Sequence, residues 1–223
     1  MKRKTLDIIF ATGGLLLAAV LIALGTALAG EATFARDYVR TELGAQKITF
    51  TAADKLTDYE KTWQPGSSCL TTYAGQTLET GAQAECYAKY YIRAHMAASA
   101  DKAGFPGATY ATLGGIRTEI SAQVAAAKAK GDAAAQAEAQ KKLDAATALR
   151  STMQTGETLS GLLLTTYGFS EIGEKAALAG NLIYGLAALL VLLSIAGFVH
   201  ATVTPKDEFV LGVRPQRVAE PTV

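Results

Sequence analysis

The sequence predicts a mainly α protein: two transmembrane helices flanking an exported helical-bundle domain with one disulfide-pinned loop. Three observations carry this. Two long uncharged apolar runs stand toward opposite ends of the chain, the segment between them is ordinary in charge, and that segment holds both cysteines. The chain has 223 residues, of which 50% are hydrophobic and 18% charged, with a net charge of +1. A soluble domain carries roughly a quarter charged residues. A nucleic-acid binder would show a basic surplus, which is absent.

Residues 1–7 form the N-terminal tail. Met1-Lys2-Arg3-Lys4 places three adjacent positive charges ahead of the first run, which favours a cytoplasmic N-terminus. The run itself, residues 8–29, holds 22 residues without a charge. About 20 apolar residues suffice to cross a bilayer core as a helix. Ala27-Leu28-Ala29 also offers a signal-peptidase pattern, but the run is longer than the apolar stretch of a typical leader, so a retained anchor is expected. Ala19, Ala23 and Ala27 recur four apart and suit close helix packing, although alanine is simply abundant here. The second run, residues 176–199, adds 24 uncharged residues. It returns the chain to the cytoplasm, and residues 200–223 form the C-terminal tail.

Residues 30–175 are then the extracytoplasmic helical domain, with 15 Lys/Arg against 16 Asp/Glu. The first anchor continues as helix through Phe34 and Tyr38 to about Leu43, with Gly44 as its stop. Lys47-Ile-Thr-Phe-Thr51 is β-rich in type and reads as a short strand or an extended connector. Thr51, with Asp54 three residues on, reads as the N-cap of a short helix reaching about Trp63. Cys69 and Cys86 are expected to pair, because an exported cysteine pair meets an oxidising compartment. Such a loop is worth roughly 3 kcal/mol by chain entropy. It pins an irregular stretch to a helix starting near Gly81.

Gln83–Ala103 reads as helix, with Glu85 and Lys89 four apart in the favourable order. Tyr87, Tyr91 and His95 form one stripe on it. The stripe reads either as a ligand or partner face, together with Leu159 and Leu163, or as packing against neighbouring segments. Gly104-Phe-Pro-Gly107 ends the helix. Tyr110–Thr155 is Ala-rich and helical, and Lys130-Gly131-Asp132 suits the tip of an antiparallel hairpin; one uninterrupted helix is the alternative. Gly156–Phe169 is amphipathic through Leu159, Leu162, Leu163 and Tyr167. It suits either the membrane surface or the domain core.

No catalytic signature is present: there is no G-x-S-x-G, H-E-x-x-H, phosphate-binding loop or dinucleotide fingerprint. No C-x-x-C or Cys/His cluster exists, so no metal ligand set and no cofactor is expected. The carboxylate pairs Asp58/Glu60 and Glu171/Glu174 read as solvated helix faces. Neither apolar run contains Asp, Glu, Lys or Arg, which argues against an autonomous transporter.

Lys47-Ile-Thr-Phe50, Ala88-Lys-Tyr-Tyr-Ile-Arg-Ala-His95 and above all Gly156-Glu-Thr-Leu-Ser-Gly-Leu-Leu-Leu-Thr-Thr-Tyr-Gly-Phe169 resemble an uncharacterised family of actinobacterial two-span membrane proteins. The likeness covers most of the chain. Some members carry the label of an aromatic ring-opening dioxygenase subunit. Such enzymes are soluble and use metal ligands in a cavity, and no residues of this chain match that chemistry. The resemblance implies a two-span topology in a bacterial cell membrane and implies no activity. The expected role is a non-enzymatic accessory subunit or scaffold outside the membrane, whose partner is another membrane protein or a second copy. The alternative is a binding or sensor domain for a small or lipidic ligand. An enzyme would require His95 beside carboxylates in a cleft.

Overall fold

Helix α1 runs Arg3–Ala45. It ends where Lys47 turns left-handed at φ 53° and donates its N–H to the Gly44 carbonyl at 3.1 Å. The expected stop at Gly44 therefore falls inside the helix. The computed structural model describes residues 2–205. The charged part of the expected C-terminal tail, with Lys206, Arg214 and Arg217 against Asp207, Glu208 and Glu220, lies outside the described residues.

After α1, residues 48–50 pair with residues 75–78 through a single antiparallel bridge, Thr49 with Thr77. Leu78 N–H donates to the Ile48 carbonyl at 2.8 Å. Lys47–Thr51 is thus the extended connector, and no strand forms among the described residues. Helix α2 spans Asp58–Thr62 and begins later than the sequence pattern placed it. Thr57 is the N-cap, not Thr51: its hydroxyl accepts from Glu60 N–H while the Glu60 carboxylate accepts from Thr57 N–H, a reciprocal capping box. Thr51 instead hydrogen-bonds the Tyr91 hydroxyl at 3.4 Å.

Helix α3 spans Ser68–Thr72 and α4 spans Gly81–Cys86. Cys69 and Cys86 are disulfide-bonded, with Cα atoms 6.1 Å apart. The chain then makes one wide π turn, Tyr87–Ile92, and resumes as α5, Arg93–Lys102. Gly104, at φ +78°, stops α5: its N–H donates to the Asp101 carbonyl at 3.1 Å, and Phe105 N–H to Ala100 at 2.9 Å. This is a Schellman end, in which a left-handed residue lets the chain satisfy the last carbonyls.

Helix α6 spans Tyr110–Ala129 and α7 spans Ala133–Val203. Their turn repeats the same device. Gly131 sits at φ +70°, Asp132 N–H bonds Ala127 at 3.1 Å, and the Asp132 carboxylate accepts from Ala135 N–H at 3.0 Å. The hairpin with its tip at Gly131 is therefore what forms. Beyond it, α7 is one helix of 71 residues. The separate amphipathic helix over 156–169 does not exist. The glycines inside α7 each cost only about 1 kcal/mol against alanine.

The described chain divides into two compact units, one made of residues up to Phe34 and from Gly173 onward, the other Ala35–Ile172. In the first, the apolar parts of α1 and α7 are long and apolar enough to cross a membrane. They pair antiparallel along a seam of small residues. Ala11, Ala18, Gly25 and Ala32 are buried on α1, and Gly173, Gly180, Ala187, Ser194 and Ala201 on α7. Both series step by seven, the spacing that keeps one face turned to a partner. A Cβ on Gly25 would stand 2.9 Å from the Tyr184 ring. The Tyr184 hydroxyl donates to Thr26 at 3.0 Å.

Ala19, Ala23 and Ala27 are all exposed and take no part in this seam. The reason is geometric: a step of four residues drifts by about 40° around an α-helix, so a four-residue stripe does not follow a seven-residue seam.

In the second unit the core is built from larger side chains. Leu70, Leu78 and Leu113 are almost fully enclosed, with Phe50, Ile92, Leu149 and Met153 around them.

Candidate functional site

Helices α4 and α5, joined by the π turn, lie antiparallel to the Leu149–Leu163 stretch of α7. Gly156 makes the close approach. A Cβ there would stand 2.8 Å from Met96 Cγ. Four residues on, the buried Ser160 hydroxyl donates to the Ala88 carbonyl at 3.5 Å, inside the π turn. Beside this contact lies an open groove of about 480 Å³.

Tyr87, Tyr91 and His95 form one wall. The Tyr87 and Tyr91 rings stack at 4.6 Å, and Tyr91 meets His95 at 4.2 Å. The π turn widens the repeat just where Tyr87 and Tyr91 occur, four residues apart. Turns of this kind are frequent at functional sites. The other edge of Tyr87 meets Phe50 edge-to-face at 5.3 Å. Burial, and then the neighbouring Tyr91, push the Tyr87 phenol up to about 12. The packing reading of the stripe thus holds on one side, and its other side faces open space. It packs on the connector on one side and lines a groove on the other.

Ile92 and Met96 form the floor. Ser151, Thr152, Thr155 and Leu159 form the second wall, and Ser99 closes the end beside His95. Among the described residues, no lysine, arginine, aspartate or glutamate lines the groove. Leu159 lines the groove. Leu163 does not: at 3% exposure it belongs to the core beneath.

His95 is held from both sides. Its Nδ1 lies 2.9 Å from the Tyr91 carbonyl, which can only accept, so Nδ1 carries the proton. Its Nε2 faces the Glu60 carboxylate at 3.5 Å. Glu60 is buried (7% exposed) and also accepts from Thr57 N–H and Thr57 Oγ, each at 2.7 Å. His95 thus stands beside one carboxylate and forms part of the groove wall, which is the neighbour the sequence reading asked of an enzyme.

A second cleft of about 330 Å³ opens on the far side of His95, lined by Tyr59, Glu60, Ala94, Ala98 and Lys102 among others. No three His, Cys, Asp or Glu side chains converge to hold a metal among the described residues.

The sequence reading treated Glu60 as solvated. The signal that identifies it is Thr57-Asp-Tyr-Glu60, a T-x-x-E capping box that turns its carboxylate inward. No protein-family model, curated protein or solved structure matches the chain.

Proposed function

We propose that this chain is a membrane-anchored binding protein. Its central domain stands outside a bacterial cell membrane, both termini lie in the cytoplasm, and the groove between Tyr87–Ser99 and Ser151–Leu159 captures a small or lipidic ligand. The groove carries this reading. It is concave, largely apolar, free of formal charge on its walls and bordered by hydroxyls, which is the general character of ligand sites. The two apolar helices, the basic start of the chain and the likeness to two-span actinobacterial proteins support the location.

Native mass spectrometry of the gently extracted full chain tests it. A bound adduct is expected on the natural protein and is expected to vanish in Thr155→Trp, which fills the groove. Cys69–Cys86 oxidation and helical circular dichroism report that the variant is folded. A bare natural protein, or an adduct that Thr155→Trp leaves in place, contradicts the reading.

The scaffold or accessory role is the second reading. The exposed face of Ala19, Ala23 and Ala27 favours it, since another membrane helix or a second copy could pack there. Crosslinking in the native membrane separates the two, because a scaffold yields a partner band whether or not the groove is filled.

A further inference from the structure

The groove is not uniform along its length. Because α5 and α7 run antiparallel, its ends are defined by facing residues. At one end stand Tyr87 and Leu159; at the other stand Ser99, Ser151 and Thr152. The first end is apolar and the second is hydroxyl-lined.

Two of the three hydroxyls at the polar end, and Thr155 beside them, have already committed their protons. Ser99 Oγ donates to the His95 carbonyl at 2.7 Å, Thr152 Oγ to Ala148 at 3.3 Å, and Thr155 Oγ to Ser151 at 3.1 Å. Toward the groove these oxygens therefore offer lone pairs, and a head group that donates hydrogen bonds is the complement. An anionic head finds no lysine or arginine on the lining, and the buried Glu60 carboxylate stands behind His95 at 3.5 Å. A carboxylate or phosphate would lose its hydration there with no cation to offset the loss.

The apolar end does not close. Past Leu159 on neighbouring faces of α7 follow Leu162 at 63% exposure and Phe169, whose ring meets Tyr38 edge-to-face. Large apolar side chains exposed in succession mark a contact surface more than a solvated one. They follow Leu159 in sequence toward Gly173, where the unit with the apolar runs begins.

We infer that the groove is a site for a neutral membrane lipid with one apolar chain and a hydroxyl-bearing head. The head sits among Ser99, Ser151 and Thr152. The chain runs over Met96 and past Leu159 onto the Leu162 flank. This rests on the binding reading above and names its ligand class.

Met96 supplies the readout. Both methionines are buried in the core, but Met96 also lines the groove floor and Met153 does not. The full chain, carrying carbon-13 methyl methionine, is placed in phosphatidylcholine nanodiscs and titrated with a monoacylglycerol. A saturable shift of the Met96 methyl, larger than that of Met153, is expected. Leu159→Glu is expected to weaken the apparent affinity at least tenfold, and Thr155→Trp to abolish the shift. The lysophosphatidylglycerol of the same chain length is expected to bind at least fivefold more weakly.

Equal response to the neutral and anionic lipids overturns the head-group assignment. A Met96 shift from benzyl alcohol but from neither lipid overturns the lipid assignment and leaves the groove as a binding site for something smaller. No shift from any of the three probes overturns both readings.

Discussion

The two units are held together by opposite means. In the unit of apolar runs, small residues every seven positions bring backbones close, and the large side chains, such as Leu16, Leu182 and Leu192, point outward. In the central unit, large side chains fill the interior and a disulfide joins α3 to α4. Each arrangement suits a different solvent. Leucine in a hydrocarbon medium gains nothing by turning inward, so close packing and a few hydrogen bonds decide the helix pairing. In water the same leucine is driven into the core.

Substitutions of opposite kind should therefore damage the two units. Leu78→Ala, at a position with no exposure, is expected to cost about 2–5 kcal/mol in a denaturant titration of the central unit. Leu189→Ala, exposed on the second apolar run, is expected to change stability by less than about 0.5 kcal/mol. If the two substitutions cost the same, the contrast is broken. Next in size is the cross-link. Cys69→Ser, or reduction of the natural protein, is expected to lower stability by roughly 3 kcal/mol on the chain-entropy account. Matched melts with and without reductant measure it, and the first unit should be untouched.

The reverse test enlarges a small residue. Gly25→Leu drives a side chain into the Tyr184 ring, and overpacking of this kind costs about 1–3 kcal/mol. The expected readout is loss of disulfide crosslinking between Ala11→Cys and Gly197→Cys, because the Ala11 methyl lies 3.2 Å from a Cβ built on Gly197. Crosslinking that survives Gly25→Leu would deny the small-residue seam.

The two units also differ in how well they could be read from sequence. The apolar runs announce themselves by composition, and the hairpin tip by Lys130-Gly131-Asp132, because both signals are local. The cysteine pairing was legible for the same reason, once export was inferred. The seam was not. Alanine is common throughout α1, and only the partner helix selects Ala18 and Gly25 over Ala19 and Ala23. The π turn has no composition signature: Tyr87–Ile92 looks like any helix until the Ser160 hydroxyl meets the Ala88 carbonyl. The continuity of α7 through 156–175 was hidden by its glycines, of which Gly156 makes the close contact with Met96. At the site, Tyr87, Tyr91, His95 and Leu159 were found by spacing. Leu163 and Leu159 both sit on an apolar face of α7, and only the packing partner separates core from groove. Glu60 was missed because Thr51 competed as a cap.

A further effect, confined to high pH, belongs to Tyr87. Its phenol is raised to about 12, so the folded state holds the proton more tightly than the unfolded chain. The sign follows: the contribution is fully present below pH 10 and is lost as pH rises from about 10 through about 12. The half-buried ring limits the effect to on the order of 1 kcal/mol. Ultraviolet titration of tyrosinate should show one late step, absent in Tyr87→Phe.

The claim beneath the contrast is that the two units meet different solvents, with the central unit outside the membrane and the chain's start inside. Single cysteines at Lys4 and Lys130, in a background with Cys69 and Cys86 left bonded, test it with a membrane-impermeant maleimide on intact cells. The account predicts that Lys130→Cys labels at once and Lys4→Cys only after permeabilisation. Labelling of Lys4→Cys in intact cells, or protection of Lys130→Cys, would contradict it.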